Sequence, residues 1–123
     1  MDTLFAYIAL LILAALGIFQ LLLVAGQPLG RFAWGGQHNT LPQNLRIGSL
    51  ISIVLYVFFA VVIMERAGLI SLSFAIPGFA IWVLAAYFSL GVLMNGISRS
   101  KPERNLMTPV SLLLAIACFT LAL

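Results

Sequence analysis

The chain has 123 residues, 63% hydrophobic and 7% charged, with six basic against three acidic side chains and a formal charge of +3. Ordinary globular domains are about 45–50% apolar and about 25% charged, so a soluble domain is excluded and an integral membrane protein is expected. At roughly 20 apolar residues per crossing of about 30 Å of hydrocarbon, the length suits about four spans.

The first apolar run, Leu4 to Ala25, holds 22 residues without a charge and reaches about 33 Å as a helix. A cleavable signal would need a basic flank and a shorter apolar core, whereas only Asp2 precedes this run, so helix 1 is expected over about 4–25 and is expected to be retained. A loop over 26–40 follows. Ile47 to Met64 forms the next run, stopped by Glu65-Arg66-Ala67-Gly68. Thr40-Leu41-Pro42-Gln43 fits the capping-box pattern, in which the hydroxyl accepts from the N3 amide and the N3 side chain reaches back, so helix 2 is expected over about 41–65. Pro77 suits the first turn of helix 3, about 77–95. After a loop over 96–100, Ser100-Lys101-Pro102-Glu103 repeats the capping box and starts helix 4, about 101–123. Pro109 then either kinks that helix in its third turn or marks a fresh start with Thr108 as N-cap. The architecture expected is an all-α integral membrane four-helix bundle.

Basic residues orient it. Arg31 and Arg46 lie between helices 1 and 2, and Arg99, Lys101 and Arg104 between helices 3 and 4, whereas Arg66 stands alone on the other side. The positive-inside rule puts both basic loops in the cytoplasm and both termini outside. The loops also look alike. Gln27-Pro28-Leu29-Gly30-Arg31 leaves helix 1 as Asn95-Gly96-Ile97-Ser98-Arg99 leaves helix 3, and both capping boxes precede an Asn-Leu pair. Two parallel helical-hairpin repeats are the candidate internal symmetry; under it, the first loop exceeds the second by Phe32 to Asn39.

Chemistry concentrates in that first loop. Arg31, Phe32 and Trp34 have the ring and cation of an interfacial anchor, with Arg46, Arg99, Lys101 and Arg104 as further headgroup contacts. The sharper reading takes Gly35, Gly36, Gln37 and His38 as a loop that holds an anionic or polar ligand between Arg31 and Arg46, although it lacks P-loop or dinucleotide spacing. His38 is the only histidine and has no second ligand of matching type, so no metal or cofactor is expected. Cys118, the single cysteine, excludes an internal disulfide and a cysteine-based zinc site.

Within the helices, Ser49, Ser52, Tyr56 and Ala60 recur on one face of helix 2, and Ser111, Ala115, Cys118 and Ala122 on one face of helix 4. Small and hydroxylic residues serve close helix packing; the functional alternative is a polar seam, with Gln20 and Asn95 contributing from helices 1 and 3. No ionisable group lies well inside a span, and His38 with Glu103 is the only acid–base pair the loops could assemble, so an enzyme is not expected.

At Gly30 to His38 (G-R-F-A-W-G-G-Q-H), Leu41 to Ser49 (L-P-Q-N-L-R-I-G-S) and Ser98 to Pro109 (S-R-S-K-P-E-R-N-L-M-T-P), the chain resembles a group of small uncharacterised bacterial membrane proteins with four predicted spans. The resemblance implies a bacterial inner-membrane location and brings no activity or ligand with it. Length and span count also match the small multidrug transporters, but the membrane-embedded glutamate of their first helix is missing.

Two functions follow as expectations: a non-enzymatic module that contacts membrane lipids or a partner protein through the basic loops, and an oligomeric small transporter or channel. No nucleic-acid partner is expected, because every basic residue flanks an apolar run. The orientation has a direct check: a reporter enzyme that works only outside the cytoplasm, fused after Leu123, is expected to be active, and an inactive fusion overturns it.

Overall fold

The computed structural model describes residues 2–123, and these form four α-helices and no strand. The first uncharged run becomes α1 (Asp2–Val24), with the Asp2 carboxylate in the first turn, where the helix dipole favours it. It stops in a Schellman turn. Gly26 adopts φ 89°, its N–H donates to Leu23 O at 3.1 Å and that of Gln27 to Leu22 O at 3.0 Å, which is the left-handed cap that glycine accepts without strain. The second helix, α2 (Gln43–Arg66), ends the same way at Gly68, with Leu69 N–H donating to Met64 O at 2.8 Å.

The start of α2 corrects the Thr40 capping box. Its N-cap is Pro42 and no side chain caps it. Leu41 is buried with Leu23 and Ala33 beneath the first loop, which keeps residues 39–42 off the helical path, and the residue before a proline favours extended backbone in any case. Arg46 folds back instead, its Nε donating to Leu41 O at 2.8 Å.

The third helix, α3 (Ala80–Gly96), has 17 residues. Pro77 precedes it in a separate turn closed by Ala80 N–H to Pro77 O at 3.0 Å, so the helix starts three residues later than its proline suggests; Gly78 between them is a poor helix former. The fourth, α4 (Lys101–Ala122), runs unbroken through Pro109, so Thr108 does not begin a new helix. Ser100 does cap it, accepting from Glu103 N–H at 3.4 Å. The return half of the box is not made, because Ser100 N–H donates to Ser98 Oγ at 3.2 Å and the Glu103 carboxylate turns away from its own helix.

In the bundle α1 packs along α2, α3 along α4, and α1 against α4, whereas α2 and α3 touch only sparsely. The two hairpins are present, but an even twofold relation would make the α1–α4 and α2–α3 contacts alike. The core sits at the end that carries the termini. Ala6, Ala9 and Leu13 of α1, Phe59 and Ile63 of α2, Ile81 to Phe88 of α3 and Leu114 to Ala122 of α4 meet there. Alanines and Cys118 at these contacts allow close helix approach. Arg66 closes that end, its Nε donating to Leu121 O at 2.8 Å and its Nη2 to Ala122 O at 3.0 Å, which satisfies carbonyls that α4 leaves free at its C-terminus.

Outward faces are hydrocarbon. Leu11 is 73% exposed, Phe58 64% and Leu93 65%, and α1, α2 and α4 are long and apolar enough to cross a membrane. A surface of this kind suits lipid rather than water.

At the opposite end, here termed the loop end, the first loop folds into two short 3-10 turns, Gly30–Phe32 and Trp34–Gly36. Gly30 N–H donates to Asn39 O at 2.8 Å, so the loop closes on itself. It docks on α4: the Ser100 hydroxyl donates to Arg31 O, and a Cβ on Gly36 would collide with the Ser100 side chain. Gly35 and Gly36 share positive φ, 77° and 71°, but a Cβ on Gly35 meets open space. Gly35→Ala is therefore expected to lose roughly 1–2 kcal/mol from backbone strain alone, and Gly36→Ala about 1–3 kcal/mol more from overpacking. Thermal unfolding in detergent checks the order; equal melting temperatures would remove the close contact with Ser100 from the account.

Candidate functional site

Between the packed terminal end and the loop lies a partly open cavity of about 450 Å³, whose lining residues Met94 and Tyr87 are 60% and 46% exposed. Its floor is aromatic: Phe88 and Tyr87 stand over Phe59, with ring centroids 5.5 Å and 5.0 Å away. Phe32, Ala33 and Trp34 form its roof, and each helix contributes polar groups to its walls.

Those groups pair across helices. Gln20 of α1 donates from Nε2 to the Tyr56 hydroxyl of α2 at 3.3 Å, and Asn95 of α3 donates from Nδ2 to Ser111 Oγ of α4 at 3.0 Å. Gln20 is 8% exposed, and its Oε1 has no hydrogen-bond partner. Ser52 donates to Gly48 O at 3.1 Å, one turn back in its own helix.

The roof is held by Trp34, whose φ of 53° is the one positive value among non-glycine described residues. Such strain persists only where surrounding contacts impose it. Here the indole Nε1 donates to Ser49 Oγ at 3.2 Å, and the ring lies so close to α2 that a Cβ on Gly48 would come within 2.8 Å of it. Ser49 is fully buried beneath this contact.

Beside the roof sits Glu103, 7% exposed. Gly35 N–H donates to its Oε2 at 3.3 Å, and no arginine or lysine pairs with it among the described residues. Arg104 donates to Ser98 O at 3.3 Å, and Arg31 lies over the Phe32 ring, 4.9 Å from its centroid. A second cavity of about 410 Å³ opens outside the roof and includes Gln37 and Arg99. Trp34, Met94, Asn95 and Glu103 line both cavities and so form the partition between chamber and vestibule.

The structure thus brings together residues from two separate sequence features. Gln20, Ser52, Tyr56 and Asn95 of the polar seam share the chamber with Phe32 and Trp34 of the loop, and Ser49 anchors Trp34. The basic residues do not converge. Arg46 reaches over Gly26 and bonds Leu41 and Arg104 bonds the α3–α4 connection, while Arg31, Arg99 and Lys101 are exposed at the rim. Gln37 and His38 are also exposed, and His38 makes no side-chain hydrogen bond to Glu103 among the described residues. Glu103, Ser111, Phe19, Tyr87 and Phe88 complete the walls without having stood out as site residues in sequence. Ser111 had a signal, its place on the small face of α4; Glu103 was hidden by its fit to a helix cap.

Compared with known proteins, the chain matches no family model, no curated protein and no solved structure.

The Gln20 geometry separates stability from function. An unsatisfied buried acceptor costs about 1–3 kcal/mol, and a long neutral hydrogen bond returns less than that. Gln20→Met is expected to raise the unfolding temperature by a few degrees, and Asn95→Leu to lower it slightly, since interhelical bonds in membranes average about 0.6 kcal/mol. Thermal unfolding in detergent decides; a destabilised Gln20→Met protein would mean that Oε1 is satisfied in the folded state.

Proposed function

We propose that the protein binds a small solute inside the bundle and moves it across the membrane, as a transporter or channel of minimal size. The observation that carries this reading is the chamber. Polar groups from all four helices face a space of about 450 Å³ inside a bundle that is otherwise apolar, and polar side chains inside a membrane are expensive unless they serve a pathway. The volume falls in the range of about 300–1,000 Å³ usual for small-ligand sites. Because one chain builds the chamber, an oligomer is not required to make room for it. The setting is proposed to be a bacterial inner membrane with the loop end in the cytoplasm, as the resemblance and the five basic residues around the two loops suggest.

Purified protein in liposomes tests the reading. Flux of small solutes is expected, with loss on Ser52→Leu, which adds bulk to the chamber, or on Tyr56→Leu, which removes the hydroxyl that Gln20 bonds. Liposomes silent to ions and common metabolites would sink it.

A second reading has its own observation, the exposed Arg31, Arg99 and Lys101 at the loop end. There the protein is a docking module that holds anionic lipid headgroups. Native mass spectrometry is expected to show lipid lost on Arg31→Gln, and unchanged retention excludes this role.

A further inference from the structure

The charge of the chamber is one-sided, and this narrows what it can hold. Four side-chain donors on its lining and roof are already engaged within the protein: Trp34 Nε1 on Ser49, Asn95 Nδ2 on Ser111, Ser52 Oγ on Gly48 O and Gln20 Nε2 on Tyr56. The one charged group on its lining is the Glu103 carboxylate, whose only hydrogen bond among the described residues is the one from Gly35 N–H, and Gln20 Oε1 is a further unmet acceptor. No lysine or arginine lines the chamber; Arg99 reaches only the outer vestibule and is exposed, where solvent screens it.

Glu103 itself is not explained by its helix. A carboxylate at N3 ordinarily returns to the N-cap N–H, but Ser100 N–H is taken by Ser98 and Glu103 turns toward the partition between the two cavities. A buried carboxylate is normally paired with a cation, and this one has no cationic partner among the described residues. Around it the walls are rings. Phe19, Phe32, Trp34, Tyr56, Tyr87 and Phe88 all line the chamber, and the faces of such rings attract cations. The chamber also adjoins an apolar groove of about 240 Å³ between α1 and α4, sharing Leu16, Phe19, Met107 and Val110 with it.

We infer that the occupant of the chamber is an organic monocation, an amine or quaternary ammonium with an apolar body, with Glu103 as its counter-charge at the partition and the rings around the remainder. This rests on the solute-binding reading above and specifies its substrate class. Anionic solutes are disfavoured because the Glu103 carboxylate repels them and, among the described residues, no basic side chain lines the chamber to offset it.

The test uses the full chain carrying Trp82→Phe in phosphatidylcholine nanodiscs. Trp82 meets Phe119 edge-to-face at the terminal end, 5.9 Å between centroids, away from the roof, and its replacement leaves Trp34 as the sole tryptophan and a fluorescence reporter of the roof. Three matched probes are titrated: trimethyl(3-phenylpropyl)ammonium, its neutral carbon isostere with a tert-butyl group in place of the ammonium, and 3-phenylpropyl sulfonate. The cation is expected to bind about tenfold or more tightly than the isostere, consistent with a desolvated cation–ring and carboxylate contact, and the sulfonate not to bind. Adding Glu103→Gln, which keeps an acceptor for Gly35, is expected to remove that advantage while the neutral isostere binds as before, showing the fold intact. Equal binding of cation and isostere, or an unchanged cation preference in the Glu103→Gln protein, overturns the inference and leaves the chamber as a solute site. If no probe perturbs Trp34 and liposome flux is also absent, the chamber reading fails together with it.

Discussion

The arrangement depends on one shared hydroxyl. Ser100 Oγ accepts from Glu103 N–H at 3.4 Å and donates to Arg31 O, so the cap of α4 and the docking of the first loop use the same atom. A cap alone typically contributes about 1 kcal/mol. Here the second bond fixes the loop against α4, and that placement sets Gly35 N–H over Glu103 and Trp34 over α2. The side chain that would complete the capping box is thereby turned to face the partition. A local motif for starting a helix has become a tertiary joint.

Energetics also explain why a chamber survives in so small a bundle. Helices in lipid gain little from hydrophobic exclusion and associate through close packing. The small side chains that permit this, Ala6, Ala9, Ala85, Ala115, Ala117, Cys118 and Ala122, are buried at the terminal end. Toward the loop end the facing positions hold Gln20, Tyr56, Asn95 and Ser111, and long or ring-bearing side chains keep the helices apart. Each of these polar groups would be expensive against lipid, so they face inward and bond across helices in two pairs. The cavity is what their size and polarity leave between them.

Much of this was legible in sequence, and the missing part has a common cause. Helix existence follows from uncharged runs bounded by Gly26, Glu65-Arg66 and Ser100, because length and apolarity alone decide it. The face carrying Ser49, Ser52 and Tyr56 follows from helical spacing. Contacts that join residues far apart in the chain do not. Thr40 fits a cap as well as Ser100 does, and only the burial of Leu41 under the loop separates them. Arg31, Phe32 and Trp34 read as a membrane anchor because a ring beside a cation suits the interface. The bond from Trp34 to Ser49 and the space left by Gly48 also bring that ring over the chamber, which the local pattern does not show. Glu103 was masked most completely, since its local pattern already supplied a sufficient role.

The two ends of the chamber are bounded by contacts of different kinds, and on the proposed solute-binding reading this ranks how firmly each end would hold. At the terminal end the barrier is an aromatic cluster, buried Phe59 and Phe88 with the half-exposed Tyr87, backed by the apolar core and by Arg66 bonded to two carbonyls at 2.8 Å and 3.0 Å. Opening it would break charge-assisted hydrogen bonds and separate well-packed rings, which are worth about 0.5–1.5 kcal/mol per pair beyond their buried area. At the loop end the roof is held by the 3.2 Å bond of Trp34 to Ser49, the 3.3 Å bond of Gly35 N–H to the Glu103 carboxylate and the Ser100 hydroxyl on Arg31 O, with a tryptophan held in a backbone conformation it would leave if released. Strain of roughly 1–3 kcal/mol stored at Trp34 opposes those bonds, whereas no such strain lies on the terminal side, where Gly68, the only described residue with positive φ near that end, is a glycine. The strained Trp34 therefore makes the roof the boundary easier to release, and the terminal end is the firmer wall against which the proposed solute would rest.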